Sequence, residues 1–190
     1  MGDRILAWSG VVGAATWLAL PFFAPPMDSS NAEEIFWSRL WAPALALMAL
    51  GFVGLARSSA VLARRSLRIG LVTVVIGLLV MAVGNIAEYW LFVDQIHGTM
   101  SSRDFSWILL LGGALVTGLG ITTVGVLMLA LRVTPVWVGL ALAAVAPTMI
   151  ALGALAGGFV GVPLGVAALA AAISVLGSPL TPAVSRRRSA

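Results

Sequence analysis

Residues 57–93 read RSSAVLARRSLRIGLVTVVIGLLVMAVGNIAEYWLFV. Arg57, Arg64, Arg65 and Arg68 crowd the start, and the apolar run from Ile69 to Val93 that follows carries a single charge, Glu88. A helix rises 1.5 Å per residue, so about 20 apolar residues cross the roughly 30 Å hydrocarbon core of a bilayer. A membrane β-barrel strand needs polar and apolar residues to alternate, and Leu71-Val72-Thr73-Val74-Val75-Ile76 does not alternate. In lipid the backbone must satisfy its own hydrogen bonds, so this stretch predicts a transmembrane helix.

The same reading, carried outward, predicts six spans at about 5–25, 36–56, 69–93, 106–131, 135–156 and 158–177. The fold expected is all-α, a polytopic transmembrane helical bundle forming a single integral membrane domain over residues 1–190, with 178–190 a basic cytoplasmic tail. Composition agrees: only 9% of residues are charged, far below the quarter or so of a soluble domain. The connections are too short to hold a soluble domain. Arg4 and the first apolar run resemble a secretory signal, but Pro21-Phe22-Phe23-Ala24-Pro25-Pro26 is a poor small-residue cleavage site, so the first span is expected to be retained.

All eleven basic residues are arginine, which points to a GC-rich, bacterial genome. Nine of them, Arg4, Arg57, Arg64, Arg65, Arg68, Arg132 and Arg186 to Arg188, fall on one side of a six-span model, leaving Arg39 and Arg103 on the other. The positive-inside rule then puts both termini in the cytoplasm of a cell (plasma) membrane protein. Asp28, Glu33, Glu34, Asp94 and Asp104 fall outside, with Asp3 inside. Indoles favour the headgroup boundary. Trp37, Trp41, Trp90 and Trp107 mark the outer ends, Trp8 and Trp137 the inner ends, and Trp17 lies deeper.

Glu88 is the one acid inside a span, and helical spacing puts it on a face with Asn85 and Phe92, with Met81 one turn below Asn85. An intramembrane carboxylate faces the bundle or a wet cavity and often marks an ion or proton site. Arg39, at comparable depth near the outer start of span two, is its expected partner. Asp94 and His97 in the outer loop form a weak two-ligand metal candidate, and no metal site is expected from them. Arg103 and Asp104 read as surface charges or a cap at the start of span four.

Small residues form two stripes: Ala114, Gly118, Thr122 and Gly125 in span four, and Gly157, Gly161 and Gly165 near span six. Such stripes let helix backbones approach closely. Pro147 lies in the middle of span five and is expected to kink it, whereas Pro43 and Pro163 fall nearer helix starts.

Several chemistries are excluded. Without lysine there is no retinal Schiff base and no P-loop. Without cysteine there is no disulfide, thiolate metal site or thiol redox centre. One histidine cannot supply the two ligands of a membrane b-type haem, and no HExxH or paired acidic motif is present. No cofactor is expected. A pI of 11.4 would suggest nucleic acid in a soluble protein; here the arginines read as topology signals facing anionic lipid headgroups on the cytoplasmic face. Three functional classes remain: a non-catalytic subunit or accessory protein of a membrane complex, a small transporter or channel centred on Asn85, Glu88 and Thr117, Thr122 or Thr123, and a lipid-modifying enzyme at the outer face. The partners expected are the bilayer, other membrane subunits or a second copy of the chain, and no nucleic acid.

Overall fold

A computed structural model describes residues 2–23, 32–91, 100–156 and 161–177, with side chains at all of these except 32–34, 59–60, 100–104 and 153–156. Every regular element among them is helical: α1 (Gly2–Phe23), α2 (Ala32–Arg39), α3 (Trp41–Ala56), α4 (Ser59–Leu62), α5 (Arg65–Ile86) with a π-helical turn (Ala87–Leu91), α6 (Met100–Leu131), α7 (Val136–Ala143), α8 (Val145–Ala156) and α9 (Val162–Gly177). Among the described residues, four helices are long and apolar enough to cross a membrane: Gly2–Phe23, Ile35–Ala56, Arg65–Leu91 and Phe105–Leu131. The tail, 178–190, lies outside the described residues.

The helices close into a ring. Going round, α1 packs on α3, α3 on α5, α5 on α6, α6 on α7, α7 on α9, and α9 returns to α1; α3 also meets α9. Helix α3 is accordingly the most enclosed, and its Leu45, Met48, Phe52 and Leu55 sit in the core with Leu71, Leu78, Ile121, Met128, Leu142 and Leu164. The outside carries Ile69, Val72, Ile76, Leu79 and Val83 of α5 and Ile108, Leu111, Leu115 and Leu119 of α6, all largely exposed. In water such a surface would drive aggregation; in lipid it matches its solvent. From Ile69 to Trp90 the exposed face of α5 measures about 30 Å at 1.5 Å per residue, one hydrocarbon thickness.

Glycines bring the helices together because lipid supplies no hydrophobic force between them, and packing must do so. At the α1–α3 crossing, a Cβ added to Gly10 would sit 2.7 Å from the Gly51 Cα, and one added to Gly51 would sit 2.6 Å from the Gly10 Cα. Between α5 and α6 the seam is a glycine heptad, Gly70, Gly77 and Gly84, a spacing that the sequence displays and that the two-stripe reading missed. Gly70 faces Val124, Gly77 faces Thr117 and Gly113, and Gly84 faces Leu110. This antiparallel register continued by one turn brings Ser106 level with Glu88.

The ends of the ring differ in charge. The Asp3 carboxylate pairs with Arg57 Nε at 3.3 Å, tying the start of α1 to the end of α3; both side chains are mostly exposed, so the pair adds little stability. Antiparallel packing then gathers Arg4, Arg57, Arg64, Arg65, Arg68 and Arg132 at one end, all exposed. Arg132 ends α6 in the left-handed conformation, φ 52°, a helix stop that glycine adopts more cheaply. Trp8 and Trp137 lie toward this end and Trp90 and Trp107 toward the other, each about half exposed.

Two proline-bearing helices break where the sequence reading placed single spans. The run 36–56 divides at Leu40, and 135–156 divides at Ala144 rather than kinking at Pro147. The reason is the same in both. Pro43 and Pro147 are each the third residue of the resumed helix, where a missing N–H does least harm. The break falls ahead of the proline, and the backbone groups it releases need partners. The Ala146 N–H finds one in the Thr122 hydroxyl oxygen of α6 at 2.9 Å, and Asn85 Nδ2 of α5 donates to the Ser38 carbonyl at 3.1 Å. Gly125 makes room for the second break, since a Cβ there would collide with the Ala143 N and lie 2.7 Å from the Leu142 carbonyl carbon. Thr122→Val, which keeps the shape and removes the acceptor, is therefore expected to destabilise the bundle by about 1–2 kcal/mol. Thr122→Ser should melt close to wild type in detergent. Equal melting of the valine and serine variants would show that the hydroxyl does not hold the break.

Candidate functional site

Four of the five polar residues buried among the described ones gather at the end opposite the arginine-rich one, the exception being Thr117. Helix α5 supplies Asn85, the π-turn supplies Glu88, α2 supplies Ser38 and Arg39, and α6 supplies Ser106. Asn85, Glu88 and Ser38 are 4%, 6% and 6% exposed, and Ser106 is fully buried. Met81 is buried as well, so the face predicted from helical spacing does turn inward. Phe92 lies outside the described residues.

The site owes its form to two irregularities. The α2–α3 break exposes carbonyls, and Asn85 reaches across to the Ser38 oxygen. A carbonyl only accepts, so this bond also decides which way the amide faces. The Asn85 Oδ1 atom is buried without a hydrogen-bond partner. The π-turn is the second irregularity: such turns interrupt i to i−4 bonding and recur at functional sites. It follows α5, and carbonyls toward the C-terminus of a helix carry partial negative charge. Arg39 answers that charge. Its Nε donates to the Tyr89 carbonyl at 2.8 Å, and its guanidinium lies over the Trp90 ring, 5.3 Å from the centroid. Arg39, the expected partner of Glu88, thus bonds the backbone of the residue after it.

The stripe residues have packing positions. In α6, a Cβ added to Gly118 would lie 3.6 Å from the Met149 sulfur, Thr122 and Gly125 hold the α7–α8 break, and Ala114 packs on the core. Near α9, Gly161 and Gly165 seat Trp17: its Nε1 donates to the Gly161 carbonyl at 2.8 Å, and a Cβ on Gly165 would lie 3.0 Å from its ring. This explains why Trp17 lies deep. Its edge also meets Trp41, with ring centroids 4.3 Å apart. Thr117 is buried against Gly77, where an added Cβ would collide with its hydroxyl oxygen, an atom without a hydrogen-bond partner. Thr123 is exposed and bonds its own helix at Leu119. Asp94, His97 and Gly157 lie outside the described residues, as do the side chains of Arg103 and Asp104.

Sequence reasoning missed Ser38, Ser106 and the glycine pair Gly10 and Gly51. Ser38 enters through its backbone, which no residue type signals, and Ser106 through the α5–α6 register. Among the described residues no group of three or more His, Cys, Asp or Glu side chains stands ready for a metal. Chemically the cluster can accept hydrogen bonds, stabilise a helix end and hold a buried charge. A groove elsewhere on the α5–α6 surface is lined by Ile76, Leu79, Val80, Val83 and Leu109 alone. Compared with family models, curated proteins and solved structures, the chain matches none.

Proposed function

We propose that the chain is a six-span protein of the bacterial cell membrane, both termini cytoplasmic, serving as a non-catalytic subunit or accessory protein of a membrane complex. The observation that carries this reading is how the interior polar groups are used: Thr122, Asn85 and Arg39 each serve a helix break or a helix end. Around them the helices meet glycine to glycine, a packing that favours a rigid scaffold over a conduit. The six-span count adds α7 with α8, and α9, to the four longer helices. The arginine-rich end gives the orientation by the positive-inside rule. Purification in mild detergent followed by native mass spectrometry should find the chain in a stoichiometric assembly with another membrane subunit or with itself. A lone monodisperse monomer overturns this role, and an externally accessible C-terminal tag overturns the orientation.

A transporter centred on Glu88 is the second reading, favoured by the unpartnered Asn85 oxygen one turn away. The two readings separate in one variant. As a scaffold element, Glu88→Gln lowers folding yield and melting temperature with no ion flux to lose in proteoliposomes. Wild-type yield and melting with a lost flux would reverse the ranking.

A further inference from the structure

Arg39 is the one arginine with a described side chain away from the arginine-rich end, and topology gives no reason for it. Its Nε–H is committed to the Tyr89 carbonyl and its plane to the Trp90 ring, while the residue stays partly exposed. A guanidinium has five N–H donors in a planar fork that matches a phosphate. Holding the fork over an indole removes the entropy of ordering it, which favours binding.

A second feature leads away from the same place. On α5 and its π-turn, Ile76, Leu79, Val83, Ile86 and Trp90 recur at steps of three, four, three and four, and all are exposed. They form one stripe, and its lower part is the aliphatic groove shared with Leu109 of α6, about 220 Å³ in volume. The groove begins about 10 Å below Trp90 and extends to about 20 Å at 1.5 Å per residue. One leaflet is about 15 Å deep, so an acyl chain whose headgroup lies at Trp90 reaches into it.

We propose that Arg39, Trp90 and the α5–α6 groove bind one anionic phospholipid in the leaflet opposite the arginine-rich end. Its phosphodiester rests on the Arg39 guanidinium and one acyl chain fills the groove. The site rests on the bilayer-embedded reading above and adds a specific ligand to it.

The test is native mass spectrometry of the full chain released from nanodiscs of phosphatidylcholine doped with phosphatidylglycerol of the same chain length. The wild type should retain one phosphatidylglycerol that Arg39→Gln holds about tenfold more weakly, the loss of one charge-assisted contact. Val83→Trp, which fills the groove at an exposed position, should weaken retention too. Arg65→Gln, at the other end, should leave that lipid in place. If Arg39→Gln does not fold, Val83→Trp and Trp90→Leu decide. Retention unchanged in these variants, or lost equally in Arg65→Gln, overturns the site. Normal entry into nanodiscs without Arg39-dependent retention overturns the site alone, whereas failure to enter bilayers overturns the membrane reading beneath it.

Discussion

Gly51→Ile is expected to reduce folded protein to near background, with a stability loss of at least about 3 kcal/mol in whatever survives. The cause is geometric. At this crossing the nearest atom to an added Cβ is the Gly10 Cα, 2.6 Å away, and it belongs to the backbone of the opposite helix. A side chain cannot rotate out of such a contact, so α1 must leave α3, and with it goes the core around Met48 and Phe52. Gly112→Ala is the control, since a Cβ there meets nothing within 4 Å and alanine has the higher helix propensity. Tryptophan-fluorescence melting and size-exclusion recovery in detergent measure both. A Gly51→Ile protein that melts with the wild type would show that α1 and α3 do not cross here.

Trp17→Ala is expected to cost about 3–5 kcal/mol, the range for emptying a buried large aromatic site. Trp17 is 6% exposed and joins three elements: its ring lies edge-on to Trp41 of α3, and its N–H bonds Gly161 at the start of α9. Removal should therefore free α9 before the rest of the bundle. The absence of native cysteine makes this measurable. A single cysteine at Ala171, 1% exposed, should be protected from a thiol reagent in the wild type and label rapidly alongside Trp17→Ala. Equal labelling in both backgrounds would show that Trp17 does not dock α9.

These two positions were not equally legible. Trp17 stood out in the sequence because it alone among the tryptophans lay away from a predicted boundary, and a buried indole N–H needs an acceptor. Its acceptor is a backbone carbonyl more than a hundred residues away, and no pattern of residue types encodes that. Gly51 had no signal at all, because glycine is frequent in membrane helices and only the partner helix shows which glycines are crowded. The heptad Gly70, Gly77 and Gly84 lay between these cases: its spacing is visible, but its register against Thr117 and Gly113 is not. The candidate site divides similarly. Glu88, Asn85 and Arg39 were conspicuous as polar residues in apolar runs, whereas the reasons they sit where they do, a broken helix at Leu40 and a π-turn at Ala87–Leu91, are backbone events.

Nothing beyond hydropathy and charge was needed to predict helices of bilayer length and the gathering of most arginines at one end, because each depends on a property that a residue carries wherever it is placed. Transferring an apolar run into lipid leaves the backbone few options other than a helix, and alternating loops place the charges by parity. Tertiary structure decided where the helices break, which glycines touch and what Arg39 does. A proline says that a hydrogen bond will be missing, but only the neighbouring helix, through Thr122 or Asn85, determines how the released backbone groups are satisfied. Arg39 was left over when topology had been counted. Packing made it the cation at the end of α5, bonded to the Tyr89 carbonyl and set over the Trp90 ring.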